Sequence, residues 1–240
     1  MIRIESIRKE KRIYTIKIQK DFDTFTFKIT EDLLIESRFL SLKEITNEEF
    51  TNFLNRLPYD QILQQGIKYL EKKPHSKKET SDHLREYTSS SSIIKEVINT
   101  LEKKNYLNDE YYKQTLIDYE IYEKHSGENI ITMKLKENKL SPEFLYPDDI
   151  KKQNILYLTN KFNQTSKKES RKIKIEKCKI FLLRKGYKEE DISKYFDESK
   201  IDSCDNELIK IEKERLLKKY AGDTIKVKKA LIRKGLIDNI

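Results

Sequence analysis

Two stretches far apart in the chain spell nearly the same six residues. Leu182-Leu183-Arg184-Lys185-Gly186-Tyr187 is matched by Leu231-Ile232-Arg233-Lys234-Gly235-Leu236. Leu135-Lys136-Glu137-Asn138-Lys139-Leu140 keeps the frame without the glycine, and His83-Leu84-Arg85 matches it more weakly. The leading leucines, Leu84, Leu135, Leu182 and Leu231, stand 51, 47 and 49 residues apart. Self-similarity at such a period marks a stacked repeat, and the length suits three helices with short connectors. The glycine has a physical role, because it supplies the left-handed residue that closes a helix C-terminus. The basic pair before it faces the negative end of the helix dipole favourably. The expected fold is mainly α, with tandem three-helix repeats forming an extended curved array. A composition of 36% hydrophobic and 38% charged residues agrees, since each thin unit needs only one apolar stripe per helix. Five glycines in the chain leave almost none for the phosphate-binding turns of doubly wound α/β enzymes.

The N-terminus departs from this pattern. Arg12-Ile13-Tyr14-Thr15-Ile16-Lys17-Ile18 alternates polar and apolar residues, and Phe25, Phe27 and Ile29 do the same. Both are half-buried strands joined as a hairpin around Gln19-Lys20-Asp21, and Ile2-Arg3-Ile4 supplies a third. The period then lengthens. Thr30 caps a short helix through Leu33, Leu34 and Ile35. Thr46 and Glu49 form a capping box that opens a helix through Phe50, Phe53, Leu54 and Leu57, and Ser76 with Glu79 forms another. Pro58 is expected to interrupt the chain. These signals divide the chain into a β-rich N-terminal domain with short helices (1–57), three-helix repeats over 58–107, 108–148 and 149–201, and a partial repeat over 202–240.

Charge is distributed unevenly. Residues 1–150 hold 25 basic and 27 acidic side chains, and residues 151–240 hold 25 and 14, so the whole excess of +9 falls in the last ninety. The basic side chains cluster on two helices. Arg171, Lys172, Lys174, Lys177 and Lys185 lie on one, and Lys226, Lys228, Lys229, Arg233 and Lys234 on the other. With Ile175, Cys178 and Leu182 facing the core, Lys174, Lys177 and Lys185 are expected on the solvated side. An ordinary solvated helix face would also be basic. Recurrence of the pattern in two units favours contact with a polyanion. Tyr106, Tyr111, Tyr112, Tyr119 and Tyr122 could stack on bases, but their helical spacing favours packing between helices.

Other chemistry is poorly represented. His75, His83 and His125 are scattered outside any metal-binding frame. Cys178 and Cys204 make no disulfide framework, and Cys178 reads as a small core residue. No P-loop, GxSxG or GxGxxG occurs, and no nucleophile, base and orienter assemble. The chain is therefore expected to be non-enzymatic, without cofactor or metal. It lacks an apolar run of transmembrane length and a signal-peptide core, so a cytosolic location away from membranes is expected.

Two further stretches carry a family resemblance. One is Tyr69-Leu70-Glu71-Lys72-Lys73-Pro74-His75-Ser76-Lys77-Lys78-Glu79. The other runs from Val97 to Tyr112 through Leu101-Glu102-Lys103-Lys104-Asn105-Tyr106-Leu107-Asn108-Asp109. Together they resemble the first repeat of the RecX family, bacterial regulators of the RecA recombinase, over about residues 58–240. The Arg-Lys-Gly frames resemble that family's helix ends, and the β-rich segment resembles the extension of its longer members. The resemblance implies a monomeric protein that binds the RecA–single-stranded-DNA filament and modulates its ATPase and strand exchange. It implies contact with single-stranded DNA, with double-stranded DNA a further candidate. The alternative is a general DNA-binding protein with helix-turn-helix-like units acting without RecA. A scaffold with no nucleic-acid role is a third reading, in which the basic helices merely face solvent.

Overall fold

The computed structural model describes residues 2–165, 170–201, 205–234 and 236–237, with backbone alone at 205–207; Cys204 and Gly235 lie outside these residues. The protein is mainly α with a small N-terminal antiparallel sheet. It divides into two compact units, residues 1–113 and 114–240. Among the described residues no helix is long and apolar enough to cross a membrane.

The first unit begins with strands β1 (Ile2–Glu10), β2 (Ile13–Lys20) and β3 (Asp23–Thr30), and later adds a two-residue β4 (Glu44–Ile45), in the order β3-β2-β1-β4. Two-residue turns carry left-handed Lys11 and Asp21. Alternation drives Ile16, Ile18 and Ile29 into the interior. Thr30 caps helix α1 (Glu31–Glu36) by accepting from the Leu33 amide. The Thr46–Glu49 capping box opens α2 (Asn47–Leu70).

Helix α2 corrects the expectation of a break at Pro58. It runs through the proline for 24 residues. Pro58 removes one amide donor, yet both flanks are pinned by packing. Phe50, Phe53 and Leu57 join the core beneath the sheet, with Phe53 edge-on to Phe27 at 5.2 Å between centroids. Ile62 and Leu63 join a separate core with Leu84 of α3 (Lys77–Leu84) and Ile94, Val97 and Leu101 of α4 (Ser91–Lys103). One helix thus belongs to both cores. At Gly66, a Cβ would stand 2.8 Å from Leu101 Cδ1, so the missing side chain lets α4 approach closely.

A buried carboxylate locks sheet to helix. Asp60, 1% exposed, accepts from the Thr30 amide at 3.1 Å, from Gln64 Nε2 at 2.8 Å and from the Thr30 hydroxyl. Gln64 also donates to Lys28 O at 2.9 Å. These bonds satisfy edge groups of β3 that no strand reaches. Burial is the largest influence on Asp60 and holds its pKa above the ordinary value, although its hydrogen bonds oppose the shift.

The stretch 108–148 opens with α5 (Asp109–Asp118), which spans the division between the units. The second unit continues with a single π-turn (Tyr119–Glu123), α6 (Glu128–Glu137), α7 (Asp148–Thr165), α8 (Arg171–Arg184), α9 (Glu189–Tyr195), a 3-10 turn, α10 (Asp205–Lys219) and α11 (Thr224–Arg233). Residues 141–147 form no helix, and the stretch 108–148 holds α5, the π-turn and α6. Helices α7, α8 and α9 share a core of Ile155, Leu158, Cys178, Leu182, Tyr187 and Ile192. Helices α10 and α11 pack through Leu216, Val227 and Leu231.

The four frame leucines lie near the ends of α3, α6, α8 and α11, and all are buried. The last three endings close alike. Leu140 N donates to Leu135 O at 2.9 Å, Tyr187 N to Leu182 O at 3.2 Å and Leu236 N to Leu231 O at 3.1 Å. That six-to-one bond identifies a Schellman closure. Gly186 supplies its left-handed residue at φ 91°, and Lys139 does so at φ 58°. The end of α3 has no such closure; Thr88 N reaches back to Leu84 O at 3.3 Å.

Asp60→Ala is expected to destabilise the first unit by roughly 2 kcal/mol in urea unfolding, because it leaves buried donors without an acceptor. The sign of the pH effect follows from the raised pKa: the folded chain holds the Asp60 proton to higher pH than the unfolded chain. Its contribution therefore favours folding most below the ordinary value of 3.8 and weakens as pH rises through the raised value.

Candidate nucleic-acid interface

The ten basic residues named from sequence fall into groups. Ser170 Oγ donates to Lys234 O at 3.3 Å, which sets the start of α8 against the end of α11. Arg171 and Lys172 are thereby brought near Arg233 and Lys234. Lys172, Lys228, Lys229 and Arg233 are exposed and form no ion pair among the described residues. Lys177 is also exposed. Others are committed to structure. Arg171 donates to Glu198 O at 3.0 Å, Lys226 pairs with Asp223 at 3.2 Å, and Lys234 pairs with Glu212 at 2.8 Å. Lys185 sits at the far end of α8, about 20 Å along the axis from Arg171 at 1.5 Å per residue.

Lys174 requires correction. It is buried at 6% exposure, not solvated. Lys174, Cys178 and Leu182 are spaced i, i+4, i+8 and share one helix face, so the stripe that buries the cysteine buries the lysine too. The tyrosines also depart from expectation. Tyr106, Tyr111, Tyr119 and Tyr122 are exposed, and Tyr112 is half-buried. The buried positions on α5 and the π-turn are Ile117, Glu120 and Ile121 instead. Tyr112 alone packs as expected, and burial pushes its phenol well above the ordinary range.

A basic cleft of about 400 Å³ lies at the junction of the π-turn, α6 and α8. Its construction starts with two glycines. Gly127 N donates to Lys185 O at 2.7 Å, and Asn129 N donates to Gly186 O at 3.0 Å. The free amides at the start of α6 thus meet the free carbonyls at the end of α8, and each helix end satisfies the other. The approach admits no side chain. A Cβ on Gly127 would stand 2.2 Å from the Gly186 carbonyl carbon, and one on Gly186 would stand 2.8 Å from Ile130 N.

Polar contacts fix the surroundings. Tyr187, 1% exposed, donates to His125 O at 3.1 Å and meets Tyr146 Oη at 3.2 Å. Asn154 donates to Ile121 O at 2.8 Å and to Tyr146 Oη at 2.9 Å. Lys151 pairs with Glu128 at 2.8 Å and Asp191 at 3.1 Å, tying α7 to the start of α6 and to α9. Burial alone would lower the Lys151 pKa, but these two carboxylates outweigh it and the net shift is upward. Burial opposes ionisation of Glu128 as well, yet Lys151 and Lys188 hold its pKa below the ordinary value.

Four cations line the cleft: Lys124, Lys134, Arg184 and Lys185. Only Lys185 was assigned from sequence as a contact residue. Glu120 is the carboxylate among the lining residues, 1% exposed, held by Lys134 at 2.6 Å and the Ser126 hydroxyl at 2.7 Å. The π-turn aims Lys124. Its amide donates to Tyr119 O at 3.1 Å, a five-residue step, and its Nζ lies 5.2 Å from the Tyr119 ring centroid. Sequence periodicity has no signal for such a turn, so nothing in the pattern points to Lys124. Among the described residues no group of three or more His, Cys, Asp or Glu side chains could hold a metal ion.

No family model matches the chain. Among curated proteins, Regulatory protein RecX of Oceanobacillus iheyensis is 26% identical over 250 aligned residues, covering 97% of this chain and 92% of its own length. Regulatory protein RecX of Bacillus cereus is 29% identical over 265 residues, covering 99% and 94%. That of Streptococcus sanguinis is 25% identical over 248 residues, covering 98% and 95%. A crystal structure of regulatory protein RecX superposes with a TM-score of 0.62 at 16% identity, over 80% of this chain and 98% of that one. A crystal structure of RecX from Lactobacillus salivarius gives 0.51 at 22% identity, over 57% and 94%. Both structural likenesses concern the fold.

Gly127→Ala is expected to cost more than about 3 kcal/mol of the second unit's unfolding free energy, because backbone must move to admit the methyl group. Gly222→Ala is the control. Gly222 is left-handed at φ 85° with nothing within 4 Å of its added Cβ, so it should cost only about 1 kcal/mol. Urea unfolding of both variants checks the difference.

Proposed function

We propose that this chain, which matches regulatory proteins RecX along nearly its whole length, is a member of that family and regulates homologous recombination and DNA repair by binding the RecA–single-stranded-DNA filament. In this reading it modulates the filament's ATPase and strand exchange and does no chemistry of its own. The observation that carries the reading is the end-to-end match to relatives named as regulatory proteins.

The basic surface supports it. A filament of recombinase and DNA presents phosphates, and cations bind them with a free energy that falls steeply as salt rises. The exposed cations Lys172, Lys228, Lys229 and Arg233, which form no ion pair among the described residues, are suited to that contact. Lys174 is not, being buried. Repeated helical units suit a long partner, because stacked repeats present an extended surface. The division into a β-rich segment and repeats over 58–107, 108–148, 149–201 and 202–240 belongs to the same proposal, with the boundary near residue 58 running inside α2.

The test is the single-stranded-DNA-dependent ATPase of RecA, titrated with this protein at fixed moderate salt. A change in rate at substoichiometric protein is expected. A change only at excess, tracking occupancy of bare DNA, would favour DNA binding without RecA. Reversing Lys172, Lys177, Lys228 and Lys229 to Glu is expected to weaken filament association at least about tenfold without loss of helicity, as several phosphate contacts disappear together. Unchanged association would contradict the assignment of these helices.

A further inference from the structure

The cleft at the junction of the π-turn, α6 and α8 holds more charge than its own carboxylate can answer. Glu120 is buried and already occupied by Lys134 and the Ser126 hydroxyl. Lys124, Arg184 and Lys185 remain, and none of them forms an ion pair among the described residues. Ile130 and Met133 of α6 and Phe181 of α8 complete the lining with apolar surface, and Lys185 Nζ lies 6.0 Å from the Phe181 ring centroid. Next to the lining residue Lys124 stands Tyr119, 47% exposed, its ring centroid 5.2 Å from Lys124 Nζ. The cleft is therefore a small volume lined by cations and apolar side chains, with an exposed aromatic ring beside one of the cations.

We propose that this cleft is a binding site for single-stranded nucleic acid that takes one nucleotide at a time. Lys124, Arg184 and Lys185 hold the phosphate, the sugar lies along Met133 and Phe181, and the base stacks on Tyr119. The volume, near 400 Å³, is that of a small-ligand pocket and far too small for a duplex. A base within a duplex offers no free face, whereas a single strand can splay its bases onto an aromatic ring. An acidic protein segment would satisfy the three cations but would make no use of the exposed Tyr119 ring. Lys134 has a positioning role, since it neutralises the carboxylate that would otherwise repel a phosphate.

The proposal rests on the reading of this protein as one that works on a recombinase–DNA filament, which would supply the strand. Its test needs no recombinase, so failure here would remove the cleft site and leave filament regulation standing. The full chain is titrated into a fluorescein-labelled oligothymidylate of about twelve nucleotides and into a duplex of similar length, with anisotropy read over a range of salt. The single strand is expected to bind more tightly than the duplex. The double variant Lys124→Gln/Arg184→Gln should bind at least about tenfold more weakly. Its slope of log affinity against log salt should fall by about 0.7, for the one phosphate that is no longer neutralised. Tyr119→Ala should weaken binding about tenfold, and Tyr119→Phe should bind as the parent does. All three side chains are exposed, and circular dichroism verifies folding. The proposal is overturned if the double variant binds the oligonucleotide as the parent does. It is equally overturned if Tyr119→Phe loses as much as Tyr119→Ala. Loss of poly-glutamate binding in the double variant, with oligonucleotide binding intact, would make the cleft a site for an acidic protein segment instead.

Discussion

The second unit depends on a contact between two pieces of bare backbone. The start of α6 and the end of α8 meet head to tail at Gly127 and Gly186, where amides left over by one helix bond to carbonyls left over by the other. Each helix end normally needs caps or water for these groups. Here the two ends cap each other, and the distance that permits it excludes any Cβ. Lys185, Arg184 and Phe181 are thereby set opposite Ser126, Ile130 and Lys134, and the cleft is what remains between them. Buried Tyr187, one residue after Gly186, anchors the junction to His125 and Tyr146.

In the first unit the comparable element is α2. Its N-terminal half buries phenylalanines beneath the sheet, and its C-terminal half buries isoleucine and leucine against α3 and α4. Asp60, just beyond Pro58, returns to the sheet by accepting from Thr30. The proline costs one helical hydrogen bond, but tertiary packing on either side outweighs it, as packing commonly outweighs local propensity. The two cores of this unit therefore share one rigid element, with no linker between them.

What the sequence revealed was local and periodic. The capping boxes at Thr46 and Ser76, the strands around Ile16 and Ile29, and the leucine frame were legible because each is written in residues a few positions apart. The frame glycine at 186 was legible as a C-cap. Its second role, admitting Gly127, was not, because that partner lies 59 positions earlier. Lys174 was misplaced because residue chemistry was given more weight than its i, i+4 spacing from Cys178. The tyrosines were read as packing groups for the converse reason: aromatic side chains at helical spacing resemble a core, yet the π-turn and the buried Ile117, Glu120 and Ile121 turn Tyr119 and Tyr122 outward. Lys124 and Lys134 joined the site only through tertiary contact. Cys204 and Gly235 lie outside the described residues.

These observations make one account: repeated leucine-capped helix ends, a glycine junction that positions cations, and a family of regulators matched from end to end. Amide hydrogen exchange tests it most directly, comparing the free protein with the protein on a RecA–single-stranded-DNA filament. The account predicts added protection over residues 119–134 and 181–186, where the cleft is built, together with the exposed faces of α8 and α11. Protection confined to residues 1–113, with the cleft segments exchanging as in the free protein, would contradict it.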